Sequence, residues 1–165
     1  MIIFDLDQTL VDTSPVEALR QARKWGEVMR RVPDLPVFDG ITPLLGELHA
    51  AGERMAIVTK SPDMVAKAFT ERHRWPIDII VGYHDVRRRK PDPEGLLLAL
   101  ERAAASASGS FHVGDRAEDT VASRAAGVAA LGVTWGLTDD ADLRASSPDR
   151  IFGTVADLRT FLLRR

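Results

Sequence analysis

Two aspartates stand two residues apart where the first apolar run of the chain ends. The run Ile2–Asp5 has the length and composition of a buried β-strand, and Asp7 follows it. Because side chains alternate along an extended chain, Asp5 and Asp7 can point the same way. Two close carboxylates repel each other unless a cation or a proton compensates, which suits an oxygen-liganded metal such as Mg²⁺. The pair also suits a division of labour in which one carboxylate attacks and the other transfers a proton, although a turn or a helix cap uses the same residues.

A hydroxyl and a lysine follow the next apolar run, Met55–Val58. Thr59 and Lys60 lead into Ser61-Pro62, a pair typical of a helix start. Backbone amides at a helix start, with a hydroxyl nearby, form a ready site for an anion such as phosphate. The simpler interpretation is a capped helix that binds no ligand.

A second lysine lies in a loop that two prolines constrain. Lys90 precedes Pro91-Asp92-Pro93 and follows the arginine run Arg87–Arg89. A lysine in this loop can supply a point charge to a phosphoryl group, and Arg89 could bind further phosphates. For the arginines, a solvated basic loop is the alternative and is slightly favoured.

Two more carboxylates follow the apolar run Phe111–Val113. Asp115 leaves the end of this predicted strand, and Asp119 comes four residues later, which places both on one face of a helix that starts early. Carboxylates gathered at a strand end need a cation or a basic partner, and a metal ion together with Lys90 would provide both. Arg116, next to Asp115, is a further candidate for facing the site.

Short apolar runs alternate with helical patterns, and this alternation predicts the elements that position the candidate residues. Further strands are predicted at Ile77–Val81 and Ala129–Val133. Three helices are predicted to begin with a capping residue before a proline, at Thr42-Pro43, Ser61-Pro62 and Asp92-Pro93. The pattern predicts an α/β fold, a three-layer Rossmann-like parallel sheet with helices on both faces. Such a sheet binds its ligand beyond the carboxyl ends of the strands, where the candidate residues stand.

One segment, residues 13–37, follows the first strand as an insertion. Its apolar residues recur at three-residue steps from Val16 to Val32 and predict a single helix over Pro15–Arg31. We expect this apolar stripe to pack on the core. A lid or a dimer surface with Trp25 and Met29 partly exposed is the alternative.

The bulk composition is that of a soluble globular protein. The 165 residues are enough for one domain, and a formal net charge of −2 gives no general attraction to nucleic acid or anionic membranes. The chain has no cysteine, which excludes disulfides, a thiolate nucleophile and cysteine-ligated metal centres. Since no apolar run is long enough to span a bilayer and the N-terminus lacks the basic start of a signal peptide, a cytoplasmic location is expected.

The order of the motifs is more specific than any one of them. Asp-x-Asp-x-Thr, then a threonine, a lysine and Gly-Asp-x-x-x-Asp, each after its own strand, resemble the haloacid dehalogenase superfamily from Ile2 to about Gly132. Local sequences at Phe4–Asp7, Val11–Thr13 and Lys90–Pro93 look most like the phosphoglycolate-phosphatase-like group. The resemblance implies one hydrolase domain over residues 1–165, with residues 13–37 as a minimal cap.

The resemblance also implies roles for the acidic residues. Asp5 would attack phosphorus and become an aspartyl-phosphate, while Asp7 would protonate the leaving oxygen and then activate water. Mg²⁺ would be held by Asp5, the main-chain carbonyl of Asp7 and Asp115. Asp119 would be a ligand through water, or would orient Lys90.

For the remaining motif positions, the resemblance implies contacts to the phosphorylated substrate. Thr59 and Lys90 would bind the transferring phosphoryl group, and Thr9 would brace the loop of Asp5. The candidate substrate-binding residues are Thr9, Lys60, Arg89 and Arg116.

The presence of an acid two residues after the nucleophile distinguishes the phosphoryl-transfer enzymes of the superfamily from its dehalogenases. A halide leaves without a proton, whereas an alkoxide needs one, so Asp7 favours a phosphatase or a phosphomutase over a dehalogenase. A non-catalytic binding or regulatory protein of the same fold is the alternative from another class. The expected partner is a phosphorylated small molecule or nucleotide, with nucleic acid weakly supported, and the chain is expected to be a monomer or a homodimer.

Two features depart from the pattern of the superfamily. Gln8 stands where a glycine is usual, so either the backbone there needs less freedom or the glutamine side chain reaches the site. The insertion is much shorter than the helical cap of the relatives. We therefore hypothesise an open site that accepts a large substrate, such as a nucleotide, a nucleic-acid end or a phosphoprotein.

Overall fold

The computed structural model describes residues 1–164, and a six-stranded parallel sheet lies at its centre. The strands are β1 (Ile2–Phe4), β2 (Met55–Val58), β3 (Ile79–Val81), β4 (Phe111–Gly114), β5 (Ala129–Val133) and β6 (Arg150–Phe152). Their order is β3-β2-β1-β4-β5-β6, so the chain builds outward from β1 to one edge and then crosses to β4 on the other side. This change of direction leaves a crevice beyond the carboxyl ends of β1 and β4, the usual ligand site in such sheets.

Helices connect the strands. They are α1 (Glu17–Gln21), α2 (Trp25–Arg31), α3 (Ile41–Ala50), α4 (Asp63–His73), α5 (Glu94–Arg102), α6 (Ala117–Ala126), α7 (Ala141–Ala145) and α8 (Val155–Leu163). Short 3-10 turns at Ser14–Val16 and Val32–Asp34 flank the first two. Within residues 1–164 we find no helix with the length and apolar character that crossing a bilayer requires.

Alternate residues of β1 belong to two separate hydrophobic clusters. Ile2 and Phe4 pack in the larger one, to which α3, α4 and α8 contribute buried side chains such as Leu44, Phe69 and Leu158. Ile3 packs in the other, which is built largely from α5 and α6. Since the clusters lie on opposite faces of a pleated strand, the sheet is covered on both sides. The predicted three-layer α/β fold is confirmed.

The strand register places the candidate residues at one edge of the sheet. Phe4 pairs with Ile57 of β2 and with Val113 of β4, so these three strands end at nearly the same level. The segments that follow begin with Asp5 after β1 and Asp115 after β4. Strand pairing alone therefore brings residues distant in sequence to one place.

The insertion is not the single helix that the sequence predicts. Its helix stops after α1 and restarts at α2, and between them Arg23 has a left-handed backbone with φ of +54°. The expectation that the apolar stripe packs on the core is confirmed for Val16, Val28 and Val32, which are buried in the larger cluster. Trp25 is only partly buried. The three-residue apolar period continues through the break, which is why periodicity alone suggests one helix.

The three predicted helix starts have different outcomes. Helix α5 begins at Glu94, one residue later than predicted, and the Glu94 amide donates to Asp92 Oδ1 at 3.0 Å, so the predicted contribution of the Asp92 side chain is present. The other two are wrong. Gly40, not Thr42, precedes α3, and the Ser61 hydroxyl donates to Asp7 at 2.9 Å instead of capping α4.

Two elements near the end of the chain are absent from the sequence prediction. Strand β6 has only three residues and begins with the exposed Arg150, so its apolar signal is weak. Helix α7 has only five residues. Strand β3 also begins at Ile79 rather than at Ile77.

Candidate active site

Lys90 lies between two carboxylates at the carboxyl edge of the sheet. Its Nζ is 2.7 Å from Asp5 Oδ1 and 2.6 Å from Asp119 Oδ1, and all three residues are buried. Burial acts to lower the pKa of Lys90, but the Asp119 and Asp5 carboxylates more than offset it and the pKa is raised above its usual range. The lysine therefore carries a fixed positive charge between the strand ends.

Asp5, Asp115 and Asp119 form a compact acidic cluster. Each offers one carboxylate oxygen, and these oxygens lie within 4.8 Å of one another. Burial, followed by the Asp119 carboxylate, raises the pKa of Asp115 to about 7, and burial raises the pKa of Asp5 as well. Asp115 Oδ2 is buried without a hydrogen-bond partner among the described residues.

These properties fit a bound divalent cation. One lysine cannot compensate three buried carboxylates, and hard oxygen ligands with an unused oxygen are what Mg²⁺ prefers. The Asp7 side chain is not part of this cluster.

Asp119 is oriented by two basic or polar groups. Besides the Lys90 ion pair, its Oδ2 accepts the backbone N–H of Arg116 at 3.0 Å. Burial acts to raise the pKa of Asp119, but Lys90 more than offsets this and the pKa is lowered. Gly114 leaves the room for this arrangement, since a Cβ there would stand 2.5 Å from Asp119 Cγ.

Three donors converge on one oxygen of Asp7. Its Oδ2 accepts from Ser61 Oγ at 2.9 Å and Thr59 Oγ1 at 3.2 Å, and lies 2.9 Å from Arg20 Nη2. Its Oδ1 is buried and has no partner among the described residues. The carboxyl of Asp7 is therefore held by one oxygen while the other is unengaged.

Arg20 is a site residue that the sequence analysis did not select. It projects from α1, contacts Asp7 through Nη2, and pairs with Glu17 and Thr13 through Nη1. The sequence does contain a pattern that points to Arg20, because Glu17, Arg20 and Gln21 recur at helical spacing. All three line one cavity. The apolar stripe on the opposite face of the segment masked it.

Thr9 contacts the acidic cluster through its hydroxyl. Its hydroxyl, fully buried, donates to Asp115 Oδ1 at 3.1 Å. The main-chain carbonyl of Thr9 accepts the indole N–H of Trp135 at 3.0 Å. Through its hydroxyl, Thr9 links the Asp-x-Asp-x-Thr motif to Asp115 of the Gly-Asp-x-x-x-Asp motif.

A cavity of about 530 Å³ opens above these residues. Its floor contains Asp5, Asp7 and Lys90, and its walls come from the insertion and from the loops after β2, β3 and β4. The wall residues are Glu17, Arg20, Gln21, Arg23, Trp25, Lys60, Ser61, Tyr83, His84, Arg116 and Glu118.

The predicted substrate-binding residues occupy different places relative to this cavity. Lys60 and Arg116 line it, with Lys60 Nζ paired to Glu118 at 2.8 Å. Arg89 is not among the described residues that line it, because its guanidinium stacks on Tyr83 at 3.8 Å and donates to the Tyr83 carbonyl.

Comparison with known proteins identifies the family of the chain. Residues 16–133 match the family model described as haloacid dehalogenase-like hydrolase. The chain belongs to the haloacid dehalogenase-like hydrolase family. A solved haloacid dehalogenase-like hydrolase of Bacteroides fragilis is 27% identical and superposes with a TM-score of 0.81, covering 95% of this chain and 98% of that one.

Two curated relatives within the family are phosphatases by name. The chain is 35% identical over 80% of its length to "Probable phosphatase IndB" of Dickeya dadantii, and 31% identical over 93% to the phosphoglycolate phosphatase of Salmonella paratyphi A. It spans 58% and 62% of the length of these two relatives.

The glutamine that departs from the family pattern keeps the backbone shape that a glycine would adopt. Gln8 has a left-handed φ of +63°, so the hypothesis that the backbone needs less freedom here is wrong. Its side chain donates to Asp12 Oδ1 at 3.2 Å and does not line the cavity. The hypothesis that this side chain reaches the site is therefore not supported.

Two histidines, His112 and His84, lie near the site in different environments. The imidazole of His112 is buried in β4, where its Nδ1 lies 2.8 Å from Ser123 Oγ and burial lowers its pKa to about 4. It is therefore a neutral structural residue behind the cluster. His84 is exposed and lines the cavity beside Tyr83.

Proposed function

We propose that this haloacid dehalogenase-like hydrolase is a Mg²⁺-dependent phosphatase that cleaves phosphate monoesters through an aspartyl-phosphate on Asp5. The observation that carries the proposal is the buried cluster of Asp5, Asp115 and Asp119 around Lys90, next to the separately held Asp7. The phosphatase names of the relatives support the same activity.

In the first step, an oxygen of Asp5 attacks phosphorus and the bond from phosphorus to the leaving oxygen breaks. Asp7 gives its proton to that oxygen, and the alcohol departs. In the second step, Asp7 takes a proton from water, the water oxygen attacks phosphorus, and the bond to Asp5 breaks to release phosphate. Asp7 ends protonated, ready for the next cycle.

Lys90 neutralises charge while phosphorus is transferred. Phosphoryl transfer depends mainly on positioning and on charge neutralisation, and the fixed ammonium supplies both next to Asp5. Thr59 and Ser61 orient Asp7 through their hydroxyls. Arg20 anchors the same carboxyl from the insertion.

The metal-binding residues in this proposal are Asp5, Asp115 and Asp119, with the main-chain carbonyl of Asp7. When bound, Mg²⁺ offsets the repulsion between the carboxylate of Asp5 and the anionic phosphate. Asp119 serves a second purpose, because its ion pair fixes Lys90.

The cavity favours a small leaving group over the large substrate that we hypothesised from the short insertion. Its volume of about 530 Å³ lies in the range of sites for small molecules, and residues of α1 and α2 form part of its wall. Residues 13–37 would then act as a minimal cap.

The test is hydrolysis of a generic aryl phosphate with Mg²⁺, by the native protein, by Asp5→Asn and by Asp78→Asn. Asp78 is an exposed aspartate outside the cavity and serves as the matched control. We expect activity in the native protein and in Asp78→Asn, and loss of activity in Asp5→Asn and with a chelator. Full activity in Asp5→Asn would overturn the covalent mechanism.

A protein that only binds phosphorylated ligands would behave differently in the same assay. It would show no turnover on a panel of phosphate esters, yet a phosphate mimic with Mg²⁺ would still raise its melting temperature. A phosphomutase would instead return the phosphoryl group to a second hydroxyl of a sugar phosphate.

A further inference from the structure

Aromatic side chains line the part of the cavity where the leaving group must lie. Under the proposed function, Asp7 gives its proton to the leaving oxygen, and Arg20 of α1 contacts Asp7 directly. Trp25, the first residue of α2, and His84, in the loop after β3, line the same cavity. The insertion and this loop therefore form the wall around the leaving group.

The positive charges of the cavity already have partners. Four cations that line it lie within 3.8 Å of a carboxylate oxygen: Lys60, Lys90, Arg20 and Arg116. Another, Arg23, has its guanidinium carbon 5.9 Å from the centre of the Tyr83 ring, within the range of a cation–π contact. A charged leaving group would have to compete with these contacts, whereas an uncharged one would leave them intact.

Trp25 offers the cavity an aromatic surface that no other side chain engages. It is half-buried and packs against the larger hydrophobic cluster. Among residues 1–164, its indole N–H has no hydrogen-bond partner and its ring contacts no other ring or guanidinium. The indoles of Trp75 and Trp135, by contrast, donate to Thr42 and to Thr9. A tryptophan held by the core and open to a cavity is a surface on which a ligand ring can stack.

His84 supplies a second ring from the loop after β3. Its imidazole meets the Tyr83 ring edge-on, with ring centroids 5.0 Å apart and an interplanar angle of 77°. Tyr83 is itself held by Arg89, whose guanidinium carbon lies 3.8 Å from the ring centre and covers one face. The contacts with Tyr83 fix the imidazole at the wall of the cavity, and the indole of Trp25 borders the same space.

We propose that the leaving alcohol of the substrate carries an uncharged planar ring, an aryl group or a nucleobase, and that Trp25 stacks on it. This inference rests on the proposed function and names the class of its substrate. Stacking on an aromatic side chain favours a flat π-surface and needs no charge, which fits a wall whose cations are already engaged. His84 contacts the same ring from the loop after β3.

The test compares esters that differ in the ring alone. Benzyl phosphate and cyclohexylmethyl phosphate have the same charge and the same linkage to phosphorus, but only the first has a planar ring. Adenosine 5′-monophosphate and methyl ribofuranoside 5-phosphate form the second pair, which differs in the base. For the native protein we expect kcat/KM to favour the planar member by about fivefold in the first pair and about tenfold in the second. A preference confined to one pair identifies the ring as aryl or as nucleobase.

Variants assign the preference to Trp25. In Trp25→Leu, which keeps an apolar side chain against the core, both ratios of kcat/KM should fall towards one, chiefly through KM. In Trp25→Phe most of the preference should remain. Met29→Ala is the matched control, because Met29 lies one turn later in α2 and packs half-buried on the same cluster, but does not line the cavity. Its ratios should equal those of the native protein.

The possible failures are distinguishable. If the native protein hydrolyses both members of each pair equally well, the inference is overturned and the phosphatase proposal stands. The same holds if it hydrolyses a generic aryl phosphate but none of these four esters. A preference that survives undiminished in Trp25→Leu would overturn the assignment to Trp25. Absence of hydrolysis for the aryl phosphate and for all four esters would overturn the phosphatase proposal and this inference with it.

Discussion

Lys90 is the residue on which the charge balance of the site depends. Its ammonium is buried between Asp5 and Asp119, so a neutral side chain at this position leaves two buried carboxylates without a cation. For Lys90→Met without metal we expect loss of about 3 to 5 kcal/mol in the free energy of unfolding, the usual effect of breaking a buried pair. Urea denaturation measures it, and hydrolysis should be abolished in the same variant.

The matched control for Lys90 is Lys67→Met. Lys67 pairs with Asp63 at 2.6 Å, but at an exposed position on α4, where an ion pair contributes little. We expect its free energy of unfolding to change little, because solvent screens the pair. Equal effects of the two substitutions would contradict the buried-pair account.

Arg20 sets the position of Asp7 from the insertion. Removing its guanidinium in Arg20→Gln frees one side of the Asp7 carboxyl, and a small misplacement of a catalytic group is enough to slow a reaction about 10- to 100-fold. We expect the loss mainly in kcat, with partial recovery in Arg20→Lys. Steady-state kinetics give the result, and Arg30→Gln, an exposed arginine of α2, is the control.

At the scale of elements, the turn between β4 and α6 sets the distance between Lys90 and Asp119. A Cβ on Gly114 would stand 2.5 Å from Asp119 Cγ, so Gly114→Ala must displace that carboxylate. We expect activity to fall at least tenfold through the lost Lys90 contact, with reduced stability.

Gly46→Ala is the control for the glycine substitution. Gly46 lies inside α3, and a Cβ there meets nothing within 4 Å. Since alanine is a better helix former, the variant should be about 0.5 to 1 kcal/mol more stable and fully active. A neutral result for Gly114→Ala would show that the turn tolerates movement of Asp119.

The main features of the site could be predicted because each motif follows its own strand. Parallel strands end at one edge, so Asp5, Lys90, Asp115 and Asp119 could be brought together without knowledge of any contact. The hydrogen-bond partner of Thr9 could not be predicted, because only tertiary packing brings its hydroxyl to Asp115.

The insertion shows where sequence patterns stop being informative. The helix break at Arg23 depends on a single left-handed residue that carries no glycine or asparagine signal. Arg20, in α1 before the break, and Arg23, at the break, both line the cavity. Strand β6 was missed for a simpler reason, because three residues with an exposed arginine leave too little apolar pattern.

For the whole molecule, metal binding should be visible as stability. A ligand that binds only the folded state at 100 times its Kd adds about 2.7 kcal/mol, which in a protein of this size raises Tm by about 5 to 10 °C. We expect saturating Mg²⁺ to produce such a rise, a chelator to reverse it, and Asp115→Asn to abolish it. Asp78→Asn should respond like the native protein, and a rise of equal size in Asp115→Asn would place the ion elsewhere.

The measurement that tests the central claim most directly is detection of the phosphorylated nucleophile. The native protein is mixed with an aryl phosphate and Mg²⁺, quenched in acid within the first turnover, digested and mapped by mass spectrometry. The account predicts a hydroxylamine-sensitive phosphoryl group on Asp5, absent from Asp5→Asn. Rapid turnover with no phosphoryl group on Asp5 at any quench time, or with one on another residue, would contradict it.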